Sequence, residues 1–268
     1  MFGLSIRGSQ KPNNDAPEET VNSLVESGET LENISVKNEY GQNQYSSKVF
    51  FVKDVNEKEP KKVIKVTYKE QHPDTWRKTV REGEMYRAIR DKASGWKEYL
   101  LPYREHGQKG SSFTYIVFDY LPGEDMIDRL RAVPDSARRR LLVGALQALK
   151  FLARAGYLHG DVKPDNFWVT PEDDVRLFDL ADAIRDPSPA EIRREVASVD
   201  AFIGAAIGRN SSRNRGRSRS RNRTRNRSRS RSPPRKEIST LEDLVAHYGR
   251  LIHMYEAPRG GGKTRRSK

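Results

Sequence analysis

From Arg213 to Arg231 every odd position is arginine, and the even positions are Asn, Gly, Ser or Thr. Extended at ~3.3 Å per residue, this sets a charge about every 6–7 Å, inside the ~8 Å Debye length of physiological salt. Such a run repels itself and has no apolar face, so it is expected to be disordered and cannot join a core. Whatever folds must lie on either side of it. Between Arg209 and Arg235 there are 12 arginines and no acids, and Arg259 to Lys268 adds five basic residues. Together these exceed the net charge of +13, so the rest of the chain is a mildly acidic body carrying basic appendages.

The absence of cysteine excludes disulfide scaffolds, zinc fingers and thiol catalysis together. No apolar run approaches the ~20 residues needed to cross a bilayer. Residues Met1 to Ser9 lack the long apolar stretch of a secretory signal. The expectation is a soluble intracellular protein with no membrane partner, nuclear or cytoplasmic, the arginine runs favouring the nucleus.

Residues 1–35 are polar and poor in aromatics, and are expected to be disordered. A folded domain is expected over 36–208, followed by the Arg-rich segment 209–235, a C-terminal helix within 236–257 and a basic tail at 258–268. In the domain, Val49 to Val52 and Val63, Ile64 and Val66 read as two strands of four to six residues joined through the polar stretch Lys53 to Lys62. Asp74 reads as the N-cap of a helix with Val80, Met85, Tyr86 and Ile89 at helical spacing. Phe113 to Phe118 reads as a strand. A helix from about Asp135 to Ala155 carries an apolar face of Leu142, Leu146, Leu149 and Leu152, with Gly156 placed for a left-handed cap. Phe167 to Thr170 and Val175 to Phe178 read as short strands. There is room for one helix between Glu191 and Ile207, and Leu241 to Tyr255 is amphipathic. Strands, one helix, strands, then mainly helices describe an α+β fold with two lobes.

The chemistry concentrates in Leu158-His159-Gly160-Asp161-Val162-Lys163-Pro164-Asp165-Asn166-Phe167. An Asp, a Lys two residues on and an Asn five residues on converge after an apolar helix. Asp179 stands 13 residues beyond Asn166, at the end of a strand. Asp161 could take a proton from a hydroxyl, and Asn166 and Asp179 offer hard oxygens to Mg²⁺. Lys65 lies on a strand otherwise built for burial, so it needs an anionic partner. His159 reads as a packed, hydrogen-bonded residue rather than a catalyst.

This set resembles the eukaryotic-like protein kinase superfamily over roughly residues 36–208. His159 to Asn166 is similar to that family's catalytic loop, Asp179-Leu180-Ala181 to its Asp-Phe-Gly motif and Val63-Ile64-Lys65 to its lysine strand. The resemblance implies a bilobal kinase-like fold, with a β-rich N-lobe to about residue 121 and a truncated, mainly helical C-lobe. It implies ATP and Mg²⁺ as cofactors. Asp161 and Lys163 would be catalytic, Lys163 steadying the γ-phosphate, and Asn166 and Asp179 would hold Mg²⁺. Lys65 would contact the α- and β-phosphates. Its partner is expected to be Glu82 rather than Glu84, because Glu82 shares a helical face with Met85, Tyr86 and Ile89. Gly41 and Val49 would cover the nucleotide. Phe118 would be the gatekeeper, and Asp119 and Leu121 would offer backbone groups to adenine.

The sequence also departs from the family. Tyr40 to Val49 keeps one glycine, Gly41, with Asn43 and Ser46 near the positions of two others. Gly160 replaces an arginine that receives an activation-loop phosphate in many members, so activation by that route is not expected. Ala181 replaces a glycine. No Ala-Pro-Glu motif follows Asp179, and Asp200 is a candidate to anchor the catalytic loop. Three functions stay open: a protein Ser/Thr kinase, a small-molecule kinase of the aminoglycoside-phosphotransferase type, and a non-catalytic kinase-fold scaffold. The segment 209–235 resembles the Arg-Ser-rich segments of RNA-processing proteins. It could bind RNA or another polyanion with a steep salt dependence, or be phosphorylated at its seven serines and Thr224.

Overall fold

The computed structural model describes residues 24–25, 29–33, 47–69, 72–207 and 237–256. The expectations for most of 1–35, for the loop containing Gly41, for 209–235 and for 258–268 fall outside those residues. The fold is α+β. It divides into two units, one drawn from residues 1–88 and 102–120, the other from 89–101 and 121–268.

In the first unit an antiparallel sheet has the strand order β1-β2-β3-β5-β4. The strands are β1 (Glu29–Asn33), β2 (Ser47–Asp54), β3 (Lys62–Tyr68), β4 (Tyr103–Lys109) and β5 (Phe113–Asp119). Phe50, Val52, Ile64, Val66, Tyr68 and Val117 form one buried cluster. Because successive strand residues point to opposite faces, Lys65, Thr67, Ile116 and Phe118 lie on the other face. Helix α1 (Pro73–Lys92) covers that second face. Thr67 and Thr79 share a buried hydroxyl–hydroxyl bond of 2.9 Å. Tyr86 stacks on Tyr103 at 5.5 Å and meets Phe118 edge-on at 5.2 Å.

Three local expectations need correction. The β2–β3 hairpin has strands of eight and seven residues, longer than the apolar runs alone indicated. Order begins before residue 36, because Glu29–Asn33 pairs with β2 along its whole length. Polarity hid this strand: the Glu29 side chain is 1% exposed and ion-paired with Lys61 and Lys62, so charge pairing anchors an edge that hydropathy cannot see. Helix α1 starts at Pro73, with Asp74 inside its first turn and the Trp76 N–H bonded to the His72 carbonyl at 2.8 Å. Proline suits that first position because no intrahelical bond is asked of its nitrogen.

The second unit holds α2 (Met126–Ala132), α3 (Asp135–Arg154), α4 (Pro189–Ala206) and α5 (Leu241–Glu256). Strands β6 (Glu124–Asp125), β8 (Phe167–Val169) and β9 (Val175–Leu177) form one small sheet, and β7 (Tyr157–Leu158) pairs with β10 (Ile184–Arg185). Leu141, Leu142, Leu146, Leu149 and Leu152 of α3 are buried. Gly156 takes a left-handed φ of +94° just past the end of that helix. Helix α5 packs on α3, burying Leu244, Tyr248, Leu251 and Ile252. The C-terminal helix, set apart in sequence by the Arg-rich segment, is therefore part of the second unit. Among the described residues no helix is long and apolar enough to cross a membrane.

Leu146 is fully buried. Replacing Leu146 with Ala should lower the unfolding free energy by about 2–5 kcal/mol in urea denaturation, and a loss below about 1 kcal/mol would contradict its place in the core.

Candidate active site

In the first unit the period-two pattern that buries Ile64 and Val66 turns Lys65 toward α1. Helical spacing there sets Glu82 between Thr79 and Tyr86, all three buried. Lys65 Nζ lies 2.6 Å from Glu82 Oε2, and the two side chains are 26% and 3% exposed. The carboxylate is thus the sealed end of the pair and the ammonium the reachable end. Glu84 is exposed, in keeping with its place on the far side of the helix. Val49 stands opposite Lys65 in the β2–β3 register. Phe118 is buried beside Tyr86. The Asp119 side chain accepts from Arg104 Nε at 2.9 Å, and its N–H donates to the Pro102 carbonyl at 2.8 Å.

In the second unit the loop from His159 to Asn166 closes on itself. Lys163 Nζ donates to Asp161 Oδ2 at 2.6 Å. Asn166 Nδ2 donates to the Asp161 carbonyl at 2.7 Å and to Asp161 Oδ2 at 3.1 Å. Partial burial works to raise the Asp161 carboxyl, but the bonds from Lys163 and Asn166 outweigh it and hold the group below its ordinary value. The same bond from Asp161 holds the Lys163 proton and raises that group. The structure thus brings Asp161, Lys163 and Asn166 together around one ionised carboxylate.

His159 is fully buried and joins two segments. Its Nδ1 accepts the Asp161 N–H at 3.2 Å, so the proton belongs on Nε2, which donates to the Phe178 carbonyl at 2.9 Å. The Phe178 N–H returns a bond to the Asn166 carbonyl at 3.0 Å. These contacts hold the loop beside Asp179, which takes a left-handed φ of +58° and opens a 3-10 turn over Leu180–Asp182. Asn166 and Asp179 supply one amide oxygen and one carboxylate, a hard donor set that suits Mg²⁺ completed by phosphate oxygens. Among the described residues no group of three or more His, Cys, Asp or Glu side chains could hold a metal. The Leu121 carbonyl accepts from Trp168 Nε1 at 3.1 Å.

The anchor of the loop was missed in sequence. Asp200 is exposed. The His159 and Gly160 amides instead donate to Glu195 Oε1 and Oε2, each at 3.1 Å. Glu195 is 4% exposed, on the same face of α4 as buried Ile192, Val199, Phe202 and Ile203. Burial pushes its carboxyl up, against the pull of His159 and the two amides. A signal was present: an acid at i+3 from Ile192 and i−4 from Val199 lies in the middle of an apolar stripe.

Gly160 has a geometric role as well as a missing charge. Its φ is +82°, and a Cβ there would lie 2.2 Å from the Asp182 carbonyl oxygen. Beyond Asp182 the chain stays bound. Ile184 and Arg185 pair with Leu158 and Tyr157, and the Asp186 N–H reaches the Gly156 carbonyl at 3.2 Å.

The protein kinase domain matches residues 35–199, more than half of the chain. The chain belongs to the protein kinase domain family. It is 32% identical over 87 residues to the serine/threonine-protein kinase mrck-1 of Caenorhabditis elegans, covering 31% of this chain and 6% of that protein. It is 31% identical over 88 residues to the O-antigen chain terminator bifunctional methyltransferase/kinase WbdD of Escherichia coli, covering 33% of this chain and 12% of that one. A solved structure of the bifunctional kinase-methyltransferase WbdD shares the fold, with a TM-score of 0.51 and 16% identity, over 89% of this chain and 48% of the other. The chain therefore matches only a small part of these curated relatives.

The close approach at Gly160 gives a direct test. Gly160→Ala should destabilise the protein by about 1–3 kcal/mol, the range for a non-glycine residue forced into a strained backbone region. A thermal unfolding midpoint equal to the parent's would contradict this geometry.

Proposed function

We propose that the chain is an ATP- and Mg²⁺-dependent phosphotransferase that phosphorylates Ser or Thr hydroxyls of proteins. The observation that carries this reading is the Asp161–Lys163–Asn166 cluster, a carboxylate held ionised with an ammonium 2.6 Å away. The serine/threonine kinases among its relatives support a protein acceptor.

Asp161 orients the acceptor hydroxyl and receives its proton as the oxygen bonds to the γ-phosphorus. The bond from that phosphorus to the β–γ bridging oxygen breaks, and ADP leaves. Because its carboxyl is depressed, Asp161 is a weak base at neutral pH and acts mainly late, once the hydroxyl has become acidic. Lys163 steadies the negative charge of the moving phosphoryl group. Lys65, held by Glu82, contacts the α- and β-phosphates. Mg²⁺, held by Asn166 and Asp179, would screen phosphate charge when bound. Asp119 and Leu121 would offer backbone groups to adenine.

A second reading, a small or glycan-like acceptor, is favoured by the segment after Asp179. It runs only to Ser188 before α4 begins, and β10 ties it to β7, so little chain is available for docking a peptide. We also propose that 209–235 is a polyanion-binding arm. Its deletion should abolish RNA retention at low salt while leaving nucleotide affinity unchanged.

The deciding experiment incubates purified protein with ATP and Mg²⁺ beside Asp161→Asn and identifies products by mass spectrometry. Phosphoserine or phosphothreonine that is lost in the variant, with a rate fall of about 10²–10⁴-fold, is the expected result. ATP turnover without phosphoprotein would favour the small acceptor, and no turnover in either protein would favour a scaffold. Since the ionised form of Asp161 persists as pH falls, to below the ordinary Asp value of ~3.9, loss of rate between pH 5 and 7 should not report this residue.

A further inference from the structure

Glycine is the poorest helix former after proline, yet Gly83 stands in the middle of α1, beside Glu82. Its position is buried, and a Cβ there would lie 2.5 Å from His106 Cγ and 2.6 Å from His106 Cβ. Those atoms are the root of the side chain and cannot swing aside. His106 of β4 therefore occupies the notch that the missing side chain leaves in the helix. It reaches α1 because β4 is irregular. The register against β5 shifts between Tyr103 and Glu105, so that Tyr103 stands opposite Phe118 and His106 opposite Ile116. Phe118 and Ile116 are two residues apart and share a face. The extra residue at the shift thus turns Tyr103 and His106 to the same side, although residues three apart on a regular strand point opposite ways. There they act as a pair: the Tyr103 hydroxyl and His106 Nδ1 are 2.6 Å apart, and Tyr103 stacks on Tyr86 of α1. The pair meets α1 at Gly83 and Tyr86, one and four residues beyond Glu82.

We propose that His106 is a positioning residue for Lys65: seated in the Gly83 notch and tied to Tyr103, it fixes how closely α1 approaches the sheet and so holds the Glu82 carboxylate within bonding distance of the Lys65 ammonium. The whole device lies within the first unit. It gives a reason for a helix-weakening residue next to Glu82 and for the irregularity in β4, and both serve one ion pair. The inference rests on the proposed phosphotransfer only where Lys65 is assigned to phosphate. The pair itself belongs to the free protein.

The test uses the full chain without nucleotide, as Gly83→Ala, His106→Gly and the two combined. Each is treated briefly with acetic anhydride, and the acetylation of single lysines is followed by mass spectrometry. Only an unprotonated amine acylates, so pairing with Glu82 slows Lys65. Gly83→Ala should quicken Lys65 about 3- to 10-fold, the worth of one hydrogen bond, and His106→Gly should do the same. The combined variant should be no faster than either alone, since both act through one contact. Lys62, buried on the same strand and paired with Glu29, should keep the parent rate. An unchanged Lys65 in either single variant would overturn the proposal. So would effects that multiply in the combined variant, or a Lys62 that quickens in step, which would mean general loosening of the sheet. If Gly83→Ala does not fold, His106→Gly with the Lys62 control still decides. The affinity for ATP should fall by a similar factor in each single variant. If the parent binds no ATP, the proposed function fails, while the acetylation rates still decide the role of His106.

Discussion

The candidate site depends on one buried carboxylate. Glu195 takes the amides of His159 and Gly160 on its two oxygens from within the apolar face of α4. A carboxylate in that position is expensive unless its lone pairs are met, and two backbone amides of a loop with no ladder of its own meet them. Each side solves the other's problem. The loop gains a fixed attachment to a helix, and the helix gains a reason to bury an acid. The residues that would do chemistry, one to seven positions further along, inherit their placement from this contact.

The second constraint is the closeness of two backbones. Gly160 lets the loop pass against Asp182, and the β7–β10 pairing continues the attachment on both sides. An arginine in place of Gly160 would have neither the φ nor the room. The missing arginine and the short bound segment after Asp179 are thus one feature. A chain that holds this segment by backbone bonds and close packing has little use for a phosphate to pull it into place. His159 adds the cross-link from the loop to the residue before Asp179, so Asp161 and the candidate metal ligand are tied through a single imidazole.

What could be read in the sequence follows the range of the interactions. Asp161, Lys163 and Asn166 close on one another over two to five residues, so their spacing carried the information. Lys65 and Glu82 were legible because strand and helix periodicities each assign a face, and only one acid on α1 faces inward. Glu195 was not, because its partners lie 35 and 36 residues away and only an acid within an apolar stripe marks it. Glu29–Asn33 escaped for the opposite reason: its composition is polar, and its docking rests on ladder bonds and lysine pairs. The place of α5 could not be read across a segment whose charge pattern only says that it does not join a core.

The electrostatics of Asp161 bear on what kind of catalyst this loop would make. A general base works best when its pKa lies near the working pH, yet Lys163 and Asn166 hold this carboxyl below even its ordinary range. The arrangement therefore favours direction over proton affinity. Oδ2 is fixed by two donors, and the ammonium that depresses the base is the same one that would meet the charge of a transferring phosphoryl group. Phosphoryl transfer needs that combination, since its transition state asks for placement and for cations more than for a strong base. A hydrolase acting by proton abstraction would need the opposite shift. Read on its charges alone, the loop is suited to transfer rather than to base-driven cleavage.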